Sequence, residues 1–227
     1  MALFRQKFIP KSTGMKILLK YGKFNFALLL CLTFLLIYIT DRYILTVGFY
    51  EDSGEFLSGI PGKDIAVYET LQKWIYFSSA LYLLLKLGTI TLILHTALYL
   101  NDQNVPIGNI FKVSVLSEFV FLIPALIKVL TFRYTYPNGN LLDWHRYYIL
   151  SLLSFFKNVP ADWYYALQTV NIFEIIYWFM LGFGIAGVTG LNFDRSLRIV
   201  VISYVPALLV WIAAVTFFTL MMFPSTG

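Results

Sequence analysis

Apolar residues in this chain gather into long, nearly uninterrupted blocks, and most charged residues fall in the stretches between them. Five blocks stand out, at 24–40, 74–100, 113–132, 172–190 and 199–221. Their lengths centre on the ~20 residues that carry a helix across roughly 30 Å of hydrocarbon, and the second is long enough to need tilt or an end outside the lipid. In lipid an isolated span satisfies its backbone groups only as a helix, and a barrel would show short segments of alternating polarity instead. The pattern predicts an all-α, polytopic membrane helical bundle of five transmembrane helices. It forms a single membrane domain, 24–227, behind a basic cytoplasmic or interfacial segment, 1–23.

A sixth element is predicted between the third and fourth blocks. Leu141, Trp144, Tyr148, Leu152, Phe155 and Phe156 recur at helical spacing, while Asp143, Arg146, Tyr147, Ser151, Ser154 and Lys157 take the other face. That is an amphipathic interfacial helix over 141–157, its apolar part too short to cross. Trp163, Tyr164 and Tyr165 then read as interfacial belt residues leading into span four.

Composition agrees: 59% apolar and 13% charged residues, with mean hydropathy +0.74, against globular averages of about 45–50% and about 25%. Arg5, Lys7, Lys11, Lys16, Lys20 and Lys23 precede the first span with no acid among them. Lys112, Arg195 and Arg198 flank later spans on the same side, whereas the connection 41–73 sets Arg42, Lys63 and Lys73 against Asp41, Glu51, Asp52, Glu55, Asp64 and Glu69. Basic flanks stay cytoplasmic, so the amino terminus is expected inside and the carboxyl tail, 223–227, outside. The first block is longer than a signal core and no small-residue cleavage site follows, so it reads as a retained anchor. The pI near 9.2 has the same source and does not point to nucleic acid. Turn signals at Gly48, Asp52-Ser53-Gly54 and Ile60-Pro61-Gly62 mark 41–73 as a polar outer loop.

Apparent catalytic motifs dissolve. Gly182-Phe183-Gly184-Ile185-Ala186-Gly187 matches the dinucleotide fingerprint in letters, but it lies inside a span with no preceding strand. Gly182, Ala186 and Gly190 recur every fourth residue instead, the spacing of a helix-packing stripe. Cys31 is the chain's one cysteine and reads as buried filler. His95 and His145 fall on opposite sides of the membrane, which leaves no zinc or iron site, and Ser53 has no base at a defined spacing. No catalytic residue, cofactor or metal is expected.

Ionisable residues inside the spans are costly, roughly 2.5–3.5 kcal/mol each at a helix centre, and mark function or internal pairing. They are Lys86, His95, Glu118, Lys128 and Glu174. At about 1.5 Å per residue from the inner ends of their spans, His95 and Glu118 reach similar depth, roughly 8 Å in, and could pair. Lys86 and Lys128 share the outer half with Glu174. The set reads as polar glue with snorkelling lysines, or alternatively as an ion or proton path.

Asn171-Ile172-Phe173-Glu174-Ile175 opens a glycine-bearing span that is followed by a short basic turn and a last apolar span. Ile93-Leu94-His95-Thr96-Ala97-Leu98 precedes Gly108-Asn109-Ile110-Phe111-Lys112 and a span with Pro124. Together these segments, over about 90–222, resemble the Yip1 family. Ile172 stands where that family often has proline, and a single glycine precedes Phe111 where a pair is typical. The resemblance implies a bacterial-type, five-span inner-membrane protein with a cytosolic amino terminus, acting as an adaptor or assembly factor. The leading expectation is a non-enzymatic scaffold that binds other membrane proteins or itself within the lipid bilayer. The alternatives are a small transporter or channel subunit using the intramembrane charges, and a lipid-handling membrane enzyme.

Overall fold

The computed structural model describes residues 21–52, 64–156, 159–160 and 163–222. The basic segment before Tyr21, the turns at 53–62, Lys157 and the tail 223–227 lie outside them. The described residues form an all-α bundle with five helical spans long and apolar enough to cross a membrane. This is a multi-pass membrane protein.

The spans run as follows: α1 Gly22–Tyr43, then a one-and-a-half-turn α2 Val47–Asp52, then the long α3 Asp64–Leu100. The third span is α4 Ile107–Glu118, a 3₁₀ turn Phe119–Phe121, and α5 Leu122–Thr135. Short α6 Leu141–Arg146 and α7 Tyr164–Thr169 precede the closing hairpin of α8 Ile172–Thr189 and α9 Phe193–Met222. Helix α3 extends the expected 74–100 by about three turns at its start. The third span begins at Ile107, not at 113, because Gly108-Asn109-Ile110-Phe111-Lys112 is helical despite its polarity.

Chain chemistry sets the ends. Asn171 accepts a hydrogen bond from the Glu174 backbone N–H (2.9 Å), an N-cap that starts α8 sharply. Gly190 stops it, with φ +76° in the left-handed region where a Cβ is strained. Asn192 then caps the next helix by accepting from Arg195 N at 2.9 Å. A tight hairpin follows from these two caps.

Helices α3, α4, α8 and α9 enclose the main core, in which Leu94, Leu98, Ile110, Tyr177, Leu181 and Val200 are fully buried. On α8 the buried positions Phe173, Glu174, Tyr177, Leu181 and Ile185 form a helical stripe. Helix α1 lies against α4 and α5 over a smaller cluster of Leu29, Leu83, Leu87 and Val115. Cys31, expected to be buried, is exposed on α1. Helix α1 packs on the bundle along a narrow line, which leaves most of its surface outside.

The segment 141–157 is not one helix. Its first turns form α6 behind an Asn140–Asp143 capping box, but Tyr147 is extended and Leu150 has φ +53°. Ser151 then makes an isolated antiparallel bridge with Asn171: Leu152 N donates to Val170 O at 2.9 Å and Ile172 N to Leu150 O at 3.2 Å. Side-chain geometry explains the break. The Tyr147 hydroxyl lies 2.8 Å from Thr131 Oγ1 on α5, and its ring packs on Phe132 and Tyr136, with Trp144 on the Phe132 ring. Continuing the helix would pull both the ring and the bridge out of register. The expected polar face therefore turns inward at Ser151, 1% exposed, and the expected apolar face turns outward at Phe155, 76% exposed.

Candidate functional site

Four helices bring a polar cluster into the bundle at membrane depth. Lys86 on α3 places Nζ 2.5 Å from Oε1 of Glu118, the last residue of α4. The Glu118 side chain is 7% exposed and that of Lys86 24%. The ammonium also sits 4.1 Å from the Phe121 ring centroid and 5.9 Å from that of Tyr177, so ring faces supply part of the solvation that water would. Among the described residues, Glu118 Oε2 and the Tyr177 hydroxyl find no hydrogen-bond partner and are buried.

Glu174, buried in the first turn of α8, is held differently. Its Oε1 accepts from the Tyr204 hydroxyl at 2.8 Å and from Trp178 Nε1 at 3.0 Å. Tyr177 stacks obliquely between Phe121 (5.0 Å) and Tyr204 (5.6 Å), joining the ion pair to the Glu174 group. Two carboxylates and one ammonium therefore sit on the inner surfaces of α3, α4 and α8, braced by aromatic groups of α8 and α9. Such a group can hold helices in register, and its free oxygens can accept a proton or a cation.

The expected pairings are thus rearranged. His95 does not meet Glu118, and its buried Nδ1 has no hydrogen-bond partner among the described residues. The reason is the early start of α4: Glu118 lies about 16 Å along the span from Ile107, whereas His95 lies about 8 Å from Leu100. Lys86, about 21 Å from Leu100, lies nearer that depth than His95 does, and its long side chain spans the remaining ~5 Å. Glu174 pairs with neither Lys86 nor Lys128. Lys128 turns to the outer segment, 4.2 Å over Trp144 and 4.3 Å over Tyr148. Burial raises the Tyr148 phenol above its ordinary pKa, which keeps it neutral beneath that cation.

The packing stripe holds only in part. An added Cβ at Gly182 would lie 3.3 Å from the Leu197 backbone, so this position does bring α8 and α9 together. Gly190 would meet nothing within 4 Å; it serves the turn. The closest approach on α8 is at Gly184, where a Cβ would collide with the Val113 side chain of α4. Ala186 is only half-buried. The fingerprint glycines lie within helix α8, with no phosphate-binding turn.

Sequence reasoning missed Tyr177, Trp178, Tyr204 and Phe121. One signal was available: in a tight hairpin, positions about equally far from the turn face one another, so Gly182 meets Leu197 and Glu174 meets Tyr204. Among the described residues no three His, Cys, Asp or Glu side chains gather as metal ligands. A separate groove of ≈ 900 Å³ opens at the other end of the bundle, between the end of α3 and the start of α9. No protein-family model matches the chain, and neither a curated protein nor a solved structure shows significant similarity to it.

Proposed function

We propose that this protein is a non-enzymatic integral membrane scaffold or assembly factor of the Yip1 kind, binding other membrane proteins within the bilayer. The observation that carries this reading is where the intramembrane charges go. Lys86 and Glu118 neutralise each other, Glu174 is bonded to Tyr204 and Trp178, and Lys128 lies on aromatic rings. These contacts tie α3, α4, α8, α9 and the outer segment into one body, and the groove lies apart from them. Buried charges used this way fix geometry. The proposed setting is a bacterial inner membrane with the amino terminus cytoplasmic, supported by the six basic residues before α1. Crosslinking in native membranes, followed by gentle-detergent purification and mass spectrometry, tests the reading: defined partners or a defined self-assembly are expected. A monomer free of partners under several mild conditions refutes it.

One feature favours the transporter reading as the second. The third span tightens into a 3₁₀ turn directly after Glu118, whose Oε2 has no hydrogen-bond partner among the described residues, and a 3₁₀ stretch inside a helix often marks a functional hinge. Proton and cation flux into proteoliposomes decides between them. Flux lost in Glu118→Gln establishes transport, and absence of flux above empty liposomes removes it.

A further inference from the structure

We propose that the groove between α3 and α9 binds the headgroup of an anionic phospholipid, with an acyl chain running along its apolar wall. Its position and its polarity gradient carry the inference. Arg195, Arg198, Ile199 and Ile202 line one wall from the start of α9 at i, i+3, i+4 and i+7, a single helix face. Leu92, Thr96 and Leu100 line the opposite wall on α3 at i, i+4 and i+8, again one helix face. Read from the helix ends inward, the groove is cationic at its mouth and apolar one to two turns deeper. Leu92 and Ile202 are 58% and 68% exposed at that depth, so the apolar end opens sideways to lipid.

Both arginines are exposed, and neither makes an ion pair or side-chain hydrogen bond with a described residue. Guanidinium forks match phosphate oxygens in a bidentate way. Asn101 adds an amide to the rim, and Asp194 on the same rim leaves a net positive mouth. A volume of ≈ 900 Å³ lies within the roughly 300–1,000 Å³ of small-molecule sites. A free phosphate would use only the mouth, and a soluble anion would leave the lipid-facing floor bare. An amphiphile uses both ends. Lys23 and Lys112 stand on the same face of the bundle, where the stem of Lys112 packs on Gly22, and they add attraction for an anionic leaflet without lining the groove.

The experiment is native mass spectrometry of the full chain released from nanodiscs that contain equimolar phosphatidylglycerol and phosphatidylcholine. Wild type is expected to retain phosphatidylglycerol selectively. Arg195→Gln with Arg198→Gln should weaken retention about 25-fold, about fivefold per arginine, with unchanged thermal unfolding because both residues are exposed. Lys23→Gln, outside the groove, should keep the preference for phosphatidylglycerol and lower retention by no more than the roughly fivefold of one surface cation. Ile202→Trp, which fills the apolar end and keeps both arginines, should also expel it. Equal retention of the two lipids, or retention unchanged in the double variant, overturns the proposal. So does displacement by millimolar inorganic phosphate, or an Ile202→Trp protein that still holds phosphatidylglycerol, because the site would then read phosphate alone.

Discussion

Replacing Glu118 by Gln strands Lys86 inside the bundle, and the structure sets how much that should cost. The Lys86 backbone lies about 21 Å along α3 from its Leu100 end, which leaves about 9 Å to the other surface of a roughly 30 Å hydrocarbon layer. An unpaired charge at such depth costs about 2.5–3.5 kcal/mol on insertion scales. The Phe121 ring at 4.1 Å offsets about 0.5–1 kcal/mol, and the lysine stem relieves more by snorkelling. A loss of about 2 kcal/mol is expected for Glu118→Gln, and a similar one for Lys86→Met, which strands the carboxylate.

The double variant carries no stranded charge and should cost about 1 kcal/mol or less, giving a coupling of about 3 kcal/mol. Reversible unfolding in mixed micelles, or steric trapping in bicelles, measures all four corners of the cycle. Glu118→Gln combined with Lys128→Met is the control, since Lys128 lies on Trp144 and Tyr148, and that pair should be additive within about 0.5 kcal/mol. An additive Lys86/Glu118 cycle, or stronger coupling in the control, would refute the pairing and restore an arrangement with both lysines near Glu174.

Three further outcomes follow from the packing. Gly184→Ala should destabilise by about 1–3 kcal/mol, because Val113 must move, whereas Gly88→Ala, with open space around it, should stabilise α3 by about 0.5–1 kcal/mol; equal effects in the same unfolding assay would sink the close α4–α8 contact. Glu174→Gln keeps an acceptor for Tyr204 and Trp178 and should change stability by less than about 1 kcal/mol, while Glu174→Leu leaves both donors unsatisfied and should cost about 2–4 kcal/mol; a Gln variant as damaging as Leu would show that the charge matters. Lys128→Gln should shift Trp144 fluorescence and speed proteolysis between α5 and α6, at a cost of about 1 kcal/mol, and unchanged cleavage would mean the outer segment is held without that cation.

Block length and hydropathy made the spans legible, because in lipid the backbone has few alternatives to a helix. The site was legible as a set of residues but not as pairs. Depth along a span depends on where the helix begins, and the start of α4 at Ile107 moved Glu118 away from His95 and opposite Lys86. The outer segment failed for a different reason. Its apolar periodicity was real, but Tyr147 bonding to α5 and the bridge from Ser151 to Asn171 are long-range contacts, and periodicity carries no information about them. Gly190 and Gly182 shared a spacing yet serve a turn and a contact, which only their φ and neighbours distinguish.

Pro124 shows how local chemistry and the site are joined. With no N–H it cannot bond the Val120 carbonyl, and in a continuous helix its ring would clash there. The span tightens into a 3₁₀ turn at Phe119–Phe121 without leaving the helical region, so that Pro124 falls in the first turn of α5, just past the altered hydrogen-bond pattern. The 3₁₀ turn falls directly after Glu118, and it sets Phe121 beneath the Lys86 ammonium. Pro206, by contrast, sits inside an unbroken α9, with Tyr204 two residues before it bonded to Glu174. The two prolines differ in what their neighbours bury: one neighbours a carboxylate with a free oxygen, the other a phenol whose hydroxyl is spent. If the bundle moves any ion, the third span is where it would do so; if it does not, the same 3₁₀ turn, with Phe121 under the ammonium, helps a lysine and a glutamate meet within one rigid body.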